Sequence, residues 1–321
     1  MTSHLTGSGR PSMLRASAWV TASCICLGAA APTSAQNSNT VPLENIQTVQ
    51  FVADVGGSQR IDYSGKLRML SQRIVAAACY HQAGIDSDAS KATLEAAAAE
   101  FVLITDALEF GNPDLGVIGA EERLKTLVGL SKLRDLWAPI GALAETVAAG
   151  NGTTEDIVAM ADQSALLLDL AERMVAEISG QYSNPAAILQ RDAIVIDIAG
   201  RQRMLAQRMS KNVCLISEGI NVEKAVPELA AAHGVFEASL QALHGGMQQT
   251  GIQPPPTPEI AAGLDVVLQN WSELQNSLDL ALAGEALDDE QLSIVFNGSN
   301  QMTGNMNKVV GQYSVASKLG T

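Results

Sequence analysis

The feature that most constrains this chain is an internal repeat. The segment Asp197-Ile198-Ala199-Gly200-Arg201-Gln202-Arg203-Met204-Leu205-Ala206-Gln207-Arg208 is matched without a gap by Asp62-Tyr63-Ser64-Gly65-Lys66-Leu67-Arg68-Met69-Leu70-Ser71-Gln72-Arg73. Gly65 answers to Gly200, Arg68 to Arg203, Met69 to Met204, Gln72 to Gln207, Arg73 to Arg208 and, further along, Cys79 to Cys214. A duplicated unit of this length sets the architecture before any single residue is considered.

Strand signals are nearly absent. Ala, Leu, Glu and Gln recur with apolar residues three and four apart, which reads as helix almost throughout. The spacing predicts a helix from about Leu43 to Ala83, interrupted at Gly56-Gly57. A second, capped by Asp88 or Ser90, runs to Gly111-Asn112-Pro113, and a third runs from about Gly119 to Ala149 with a kink at Pro139. A fourth covers Thr154 to Gln181, and Ser183-Asn184-Pro185 opens the fifth with proline at the first helical position. The fifth carries the second motif and ends near Gly219, and Asn221 caps the sixth. After the extended Gln253-Pro254-Pro255-Pro256 turn, a seventh carries Trp271 in near register with Trp137, and an eighth runs from about Asp288 to Ser317. Gly-Gln-Tyr-Ser closes each half, at 180–183 and at 311–314. The expected fold class is all-α: two tandem up-down four-helix bundles, packed as an intrachain pseudo-dimer.

The N-terminus reads as a processing signal. Arg10 and Arg15 precede an apolar run, and Thr33-Ser34-Ala35 offers small residues at a cleavage site, so residues 1–35 are predicted to be a secretory signal peptide. Residues 36–183 and 184–321 are the two expected helical domains, and the mature product is expected to be periplasmic and soluble, without membrane insertion. Cleavage removes two arginines and no acids, which takes the net charge from 20 − 34 = −14 to 18 − 34 = −16. So acidic a chain repels nucleic acid and anionic membrane. Against that background, Arg60, Lys66, Arg68 and Arg73, with Arg201, Arg203, Arg208 and Lys211, crowd eight cations into the two motif segments.

Two readings stand for Cys79 and Cys214. They can pair as a disulfide in an oxidising compartment, or serve as small buried hydrophobes on matching faces. The second is preferred, because sequence does not fix their distance.

Arginines flanking a Gly-Met-Leu core are part-buried, where an unpaired guanidinium is costly. Asp62 precedes Lys66 by four residues and Asp197 precedes Arg201 by four, the favourable order for an ion pair. That leaves Arg68, Arg73, Arg203 and Arg208 in need of acids from other helices, such as Glu100, Asp106 or Glu237, or of an external anion.

The run Gly-Arg-Gln-Arg-Met-Leu-Ala-Gln-Arg-Met-Ser-Lys at 200–211, and Gly-Lys-Leu-Arg-Met-Leu-Ser-Gln-Arg at 65–73, resemble the signature of NarX-like and PilJ-type sensor domains. That periplasmic four-helix module occurs in nitrate/nitrite sensor kinases and type IV pilus chemotaxis transducers. The resemblance implies an anion held between the first helices of two subunits, with the second arginine of the motif contributed from each side. On this chain those are Arg73 and Arg208, with Gly65 and Gly200 as nearby backbone, supported by Arg68, Arg203, Met69, Met204, Gln72 and Gln207. The chain departs from the nitrate sensors in having Asp62 and Asp197 where they carry asparagine. The expected function is an exported binding protein that holds a small oxyanion between its two motif helices and signals to a membrane receptor or transducer partner. The alternative is an interaction module of a pilus or chemosensory system with no small-molecule ligand.

No catalytic residue, cofactor or metal is predicted. His81, His233 and His244 have no ligand spacing with one another or with acids, and neither a Glu-x-x-His pair nor a Cys-x-x-Cys-His site is present.

Overall fold

The computed structural model describes residues 56–182 and 190–319. Eight α-helices make up almost all of the described chain: α1 Gly57–Gln82, α2 Ser87–Phe110, α3 Leu124–Ala148, α4 Thr154–Tyr182, α5 Gln190–Ser217, α6 Val222–Gly245, α7 Pro258–Leu282 and α8 Asp289–Leu319. The expected signal peptide, the start of the first expected helix and the Ser183-Asn184-Pro185 cap lie outside the described residues.

Within the first half α1 packs on α2 and α4, and α3 joins α2 to α4. The second half repeats the plan, with α5 against α6 and α8 and with α7 closing the group. One apolar core runs through both halves. Leu94, Phe101, Leu108 and Leu130 are fully buried in the first, and Leu229, Phe236, Leu243 and Leu264 in the second. Aromatic pairs also repeat: Phe101 stacks on Trp137 with centroids 4.5 Å apart, and Phe236 meets Trp271 at 4.8 Å. The sequence separation between equivalent positions is 135 residues at the cysteines. The same spacing holds at the last helices, where Gln72 donates to the Ser164 carbonyl and Gln207 to that of Ser299.

That register corrects one sequence parallel. Ile178 and Tyr313 occupy equivalent buried positions, so Tyr182 is answered by Ser317. The two Gly-Gln-Tyr-Ser runs are one helical turn out of step and share a face without sharing a place.

Other differences have local causes. The third helix begins at Leu124 and not near Gly119. Arg60 on α1 donates to the carbonyls of Ile118 and Gly119, and the Glu121 carboxylate accepts from the backbone N–H groups of Glu122 and Arg123, which hold this stretch out of the helix. Pro139 sits inside α3 without ending it. Gly56, in the left-handed region at φ 93°, approaches the loop after α2 so closely that a Cβ would meet the Ile118 nitrogen at 2.8 Å. The N-cap residues of α2 and α6 are Asp86 and Asn221, not Asp88 or Ser90 for α2, and neither side chain caps its helix. Both are left-handed, at φ 44° and 48°, and both reach the other half. Asp86 accepts from Ser293 and Asn297 on α8, while Asn221 donates to Asp162 on α4.

The two halves meet along α1 and α5. Cys79 and Cys214 are joined by a disulfide with Cα atoms 6.2 Å apart, so the reading of two unbonded thiols is corrected. Adjacent to it, the fully buried Tyr80 donates to the Ser210 carbonyl at 3.2 Å.

Candidate functional site

The disulfide fixes which face of each motif helix lies on the seam. At about 100° per residue, Arg68 and Gly65 fall on the Cys79 face of α1, whereas Arg73 lies about 120° away. Arg203, Gly200 and Arg208 are related to Cys214 in the same way on α5.

The side chains follow that geometry. Arg68 and Arg203 are both 3% exposed, and each reaches across the seam to an aspartate of the other half. Arg68 donates through Nη1 and Nη2 to one oxygen of Asp197 at 3.1 Å. Arg203 donates through Nη1 and Nη2 to Asp62 at 3.4 Å, and also to Asn307 at 2.7 Å and to the Gly200 carbonyl at 3.3 Å. Both aspartates remain nearly half exposed at the edge of the seam. Burial lowers the Arg68 pKa, Asp197 counteracts that, and Arg201 and Arg203 add to the lowering. Two like charges therefore face each other in a poorly hydrated place, and the Arg68 Nε is buried with no partner among the described residues.

Glycine leaves the space beside them open. A Cβ on Gly65 would lie 3.7 Å from Nη2 of both Arg68 and Arg203. A Cβ on Gly200 would lie 3.5 Å from Nη2 of Arg203 and 3.7 Å from that of Arg68. Four residues, two from each half, thus frame one small hollow.

Arg73 and Arg208 do not converge there. Arg208 pairs with Glu228 of α6 at 3.5 Å, and Arg73 lies in the field of Glu100 of α2 with its pKa lowered chiefly by burial. Each second arginine turns toward its own half, because six residues of helix rotate it off the seam face. The expectation that they confront each other is corrected. Of the two local pairs expected, Arg201–Asp197 forms at 2.9 Å, but Lys66 pairs with Glu100 at 3.3 Å, which frees Asp62 for Arg203. Glu237 takes no part among the described contacts, and Asp106 serves Arg134.

Met69 and Met204 are buried in the apolar core. Gln72 and Gln207 tie α1 to α4 and α5 to α8, and so hold the motif helices in rotation. Sequence reasoning counted Lys211 among the motif cations without giving it a role, and missed Glu228. Lys211 is 2% exposed, donates to Glu228 and to Ser164 of the first half at 3.1 Å, and has its pKa lowered by burial. Its repeat counterpart, Ala76, carries no charge, so the duplication gave no cue to it.

Two helical halves built round the same motif also match known proteins twice over. A profile of the PilJ family, the type IV pili methyl-accepting chemotaxis transducer N-terminal domain, matches residues 54–163 and 186–294. The chain belongs to this family. Each PilJ match contains one motif helix, and the family's sensory and signalling role applies to the chain at that level. The methyl-accepting chemotaxis protein McpN of Pseudomonas aeruginosa is 31% identical over 120 residues, which cover 37% of this chain and 22% of that protein. The similarity thus spans less than a quarter of the relative's length. Among the described residues of this PilJ protein, no helix is long and apolar enough to cross a membrane, and no group of three or more His, Cys, Asp or Glu side chains could hold a metal.

Proposed function

We propose that the chain is an exported PilJ-type sensor whose two halves act as an intrachain counterpart of a symmetric dimer, binding one small planar oxyanion, nitrate- or nitrite-like, at the α1–α5 seam. Residues 1–35 are its signal peptide, 36–183 and 184–321 its two domains, and the periplasm its compartment. Arg68 and Arg203 hold the anion, and Gly65 and Gly200 supply the space and nearby backbone. The observation carrying this reading is that both guanidinium groups reach the hollow beside both glycines.

Physically, an anion placed between two cations converts their repulsion into charge-assisted hydrogen bonds, for which planar guanidinium is well shaped. The aspartates now paired with Arg68 and Arg203 come from the exposed edge of the opposite half. Ligand capture therefore weakens cross-half pairs and shifts the packing of α1 on α5, a change that a membrane receptor or transducer partner can read.

Calorimetric titration of the mature protein with nitrate and nitrite tests this. The expected result is one anion per chain, lost in Arg68→Gln or Arg203→Gln and kept in Arg73→Gln. Silence with both anions, or binding unchanged in the Arg68 and Arg203 variants, rejects it.

The existing Arg68–Asp197 and Arg203–Asp62 pairs favour a second reading, in which the seam is satisfied by itself and the bundle is an interaction module. A periplasmic pull-down whose yield is indifferent to added anion, together with silent titrations, is the result that reading requires.

A further inference from the structure

The seam treats its two buried arginines unequally. Arg68 pairs with Asp197, and that carboxylate is shared with Arg201, which in turn lies 3.8 Å from Glu172. Charges therefore alternate along this edge, from Arg68 through Asp197 and Arg201 to Glu172. Arg203 is held differently. It donates to Asp62 at 3.4 Å, to the Gly200 carbonyl at 3.3 Å and to the Asn307 side-chain oxygen at 2.7 Å. The shortest of these contacts is to a neutral side chain.

The repeat separation of 135 residues puts Glu172 of α4 where Asn307 of α8 stands. One position thus carries a carboxylate in the first half and an amide in the second. The amide is set in place by a ladder. Thr303, one turn before Asn307, accepts from Gln207, one turn after Arg203, so the two contacts are successive rungs between α5 and α8. A guanidinium has donors only, so Asn307 must present its oxygen to Arg203. An acid in this position would hold Arg203 and also neutralise it. The amide holds it and leaves its charge available to an anion.

We infer that Asn307 is a positioning residue of the seam site: it aims the Arg203 guanidinium at the hollow beside Gly65 and Gly200 without cancelling its charge, and it makes α8 the helix that reports ligand capture. This rests on the oxyanion reading above and adds which arginine anchors the anion and which helix follows it. Arg203 is the anchor, because it is fixed from three sides and faces its aspartate at the longer distance, 3.4 Å against 3.1 Å for Arg68. Arg68, whose Nε has no partner among the described residues, completes the site from the other half. Asn307 carries any shift of Arg203 into α8. Glu172 reaches Arg201 and not Arg68 among the described contacts, so α4 has no matching link to the hollow.

Titration calorimetry with nitrate and nitrite on the parent, Asn307→Ala and Asn307→Asp, each with its melting temperature measured without anion, tests this. Asn307→Ala removes the acceptor and is expected to weaken anion binding about tenfold. Asn307→Asp keeps the acceptor and adds a third acid at the seam. It is expected to weaken binding by at least as much while holding or raising the melting temperature. A residue acting only through stability would move affinity and melting temperature together. Hydrogen exchange in the parent is expected to slow in α8 around Asn307 when nitrate is added, with no comparable slowing in α4 around Glu172. Asn307→Ala, saturated with nitrate, is expected to lose that α8 response. A parent silent with both anions removes the seam reading and this inference together. If the parent binds, equal affinity in either variant, or equal exchange responses in α4 and α8, overturns this inference and leaves the seam reading standing.

Discussion

Arg68 and Arg203 bring their Nη2 atoms to within 3.7 Å of a single point, the place a Cβ on Gly65 would occupy. Those two atoms, one from its own helix and one from across the seam, are the nearest it would meet outside the backbone of α1, so a methyl group fits there in ordinary van der Waals contact. Alanine is also the better helix former, by about 0.5–1 kcal/mol in a helix interior. Gly65→Ala is therefore expected to keep or raise the melting temperature while filling the hollow and removing oxyanion binding. Thermal denaturation and nitrate titration of the same variant check the two halves of this prediction. A variant that binds nitrate as tightly as the parent shows that the hollow is not the site.

The disulfide closes a long loop. With a sequence separation of 135, cross-linking Cys79 to Cys214 removes unfolded-state entropy worth about 5 kcal/mol in the chain-entropy account. It also sits beside the Tyr80–Ser210 hydrogen bond, on the line where the two halves touch. Changing both cysteines to alanine is expected to lower stability by about 3–5 kcal/mol, read as a fall in the urea midpoint. Reducing agent should destabilise the parent similarly and leave the variant unaffected.

Much of this architecture is legible in the chain. Helix number and order follow from apolar spacing and from the glycines that end segments, and Gly111 and Gly246 stop α2 and α6 at equivalent places. The site is legible only as far as the motif. Placing Arg68 and Arg203 on the seam, and not Arg73 and Arg208, required knowing which face of α1 meets α5, and that is a tertiary fact. The cysteines contain the clue, since Arg68 shares the Cys79 face, but it becomes usable only once the disulfide is known. The Gly-Gln-Tyr-Ser echo misled for a related reason: identical letters one turn apart keep their face and lose their neighbours. The start of α3 was hidden because Arg60, far upstream on α1, takes the carbonyls that a longer helix would use.

Two buried or part-buried carboxylates set the acid sensitivity. At Glu121, burial pushes the pKa up, but hydrogen bonds from the Arg123 backbone, Gln181 and Tyr182 together outweigh it and hold it below 4.5. At Glu228, burial again pushes up, and the Lys211 and Arg208 charges bring it down. A folded-state pKa below the unfolded one gives stability that is fully present above the unfolded value and is lost as pH falls through the folded value. The protein is therefore expected to lose stability below about pH 4.5. Glu121→Gln should cost about 2–3 kcal/mol at pH 7 and less at about pH 3, flattening the acid limb. Urea midpoints measured across that range check it, and an unchanged slope in the variant would show that Glu121 contributes nothing to acid sensitivity.

Asp62 and Asp197 lead to the sharpest test of how the seam works. Each neutralises the buried arginine of the other half from a nearly half-exposed position. In the resemblance to nitrate sensors, these are the positions where asparagine stands. Replacing both with asparagine keeps size and hydrogen-bonding capacity and removes two negative charges beside Arg68 and Arg203. Without ligand, the two guanidinium groups then face each other less well neutralised, at an expected cost of about 1–3 kcal/mol. With an oxyanion present, the competing carboxylates are gone, and affinity is expected to rise by about tenfold or more. The two effects combine in one measurement, the anion-dependent rise in melting temperature, which should be larger in Asp62→Asn/Asp197→Asn than in the parent. A double variant that melts lower yet gains nothing from nitrate or nitrite would mean that the aspartates, and not an external anion, are the arginines' working partners.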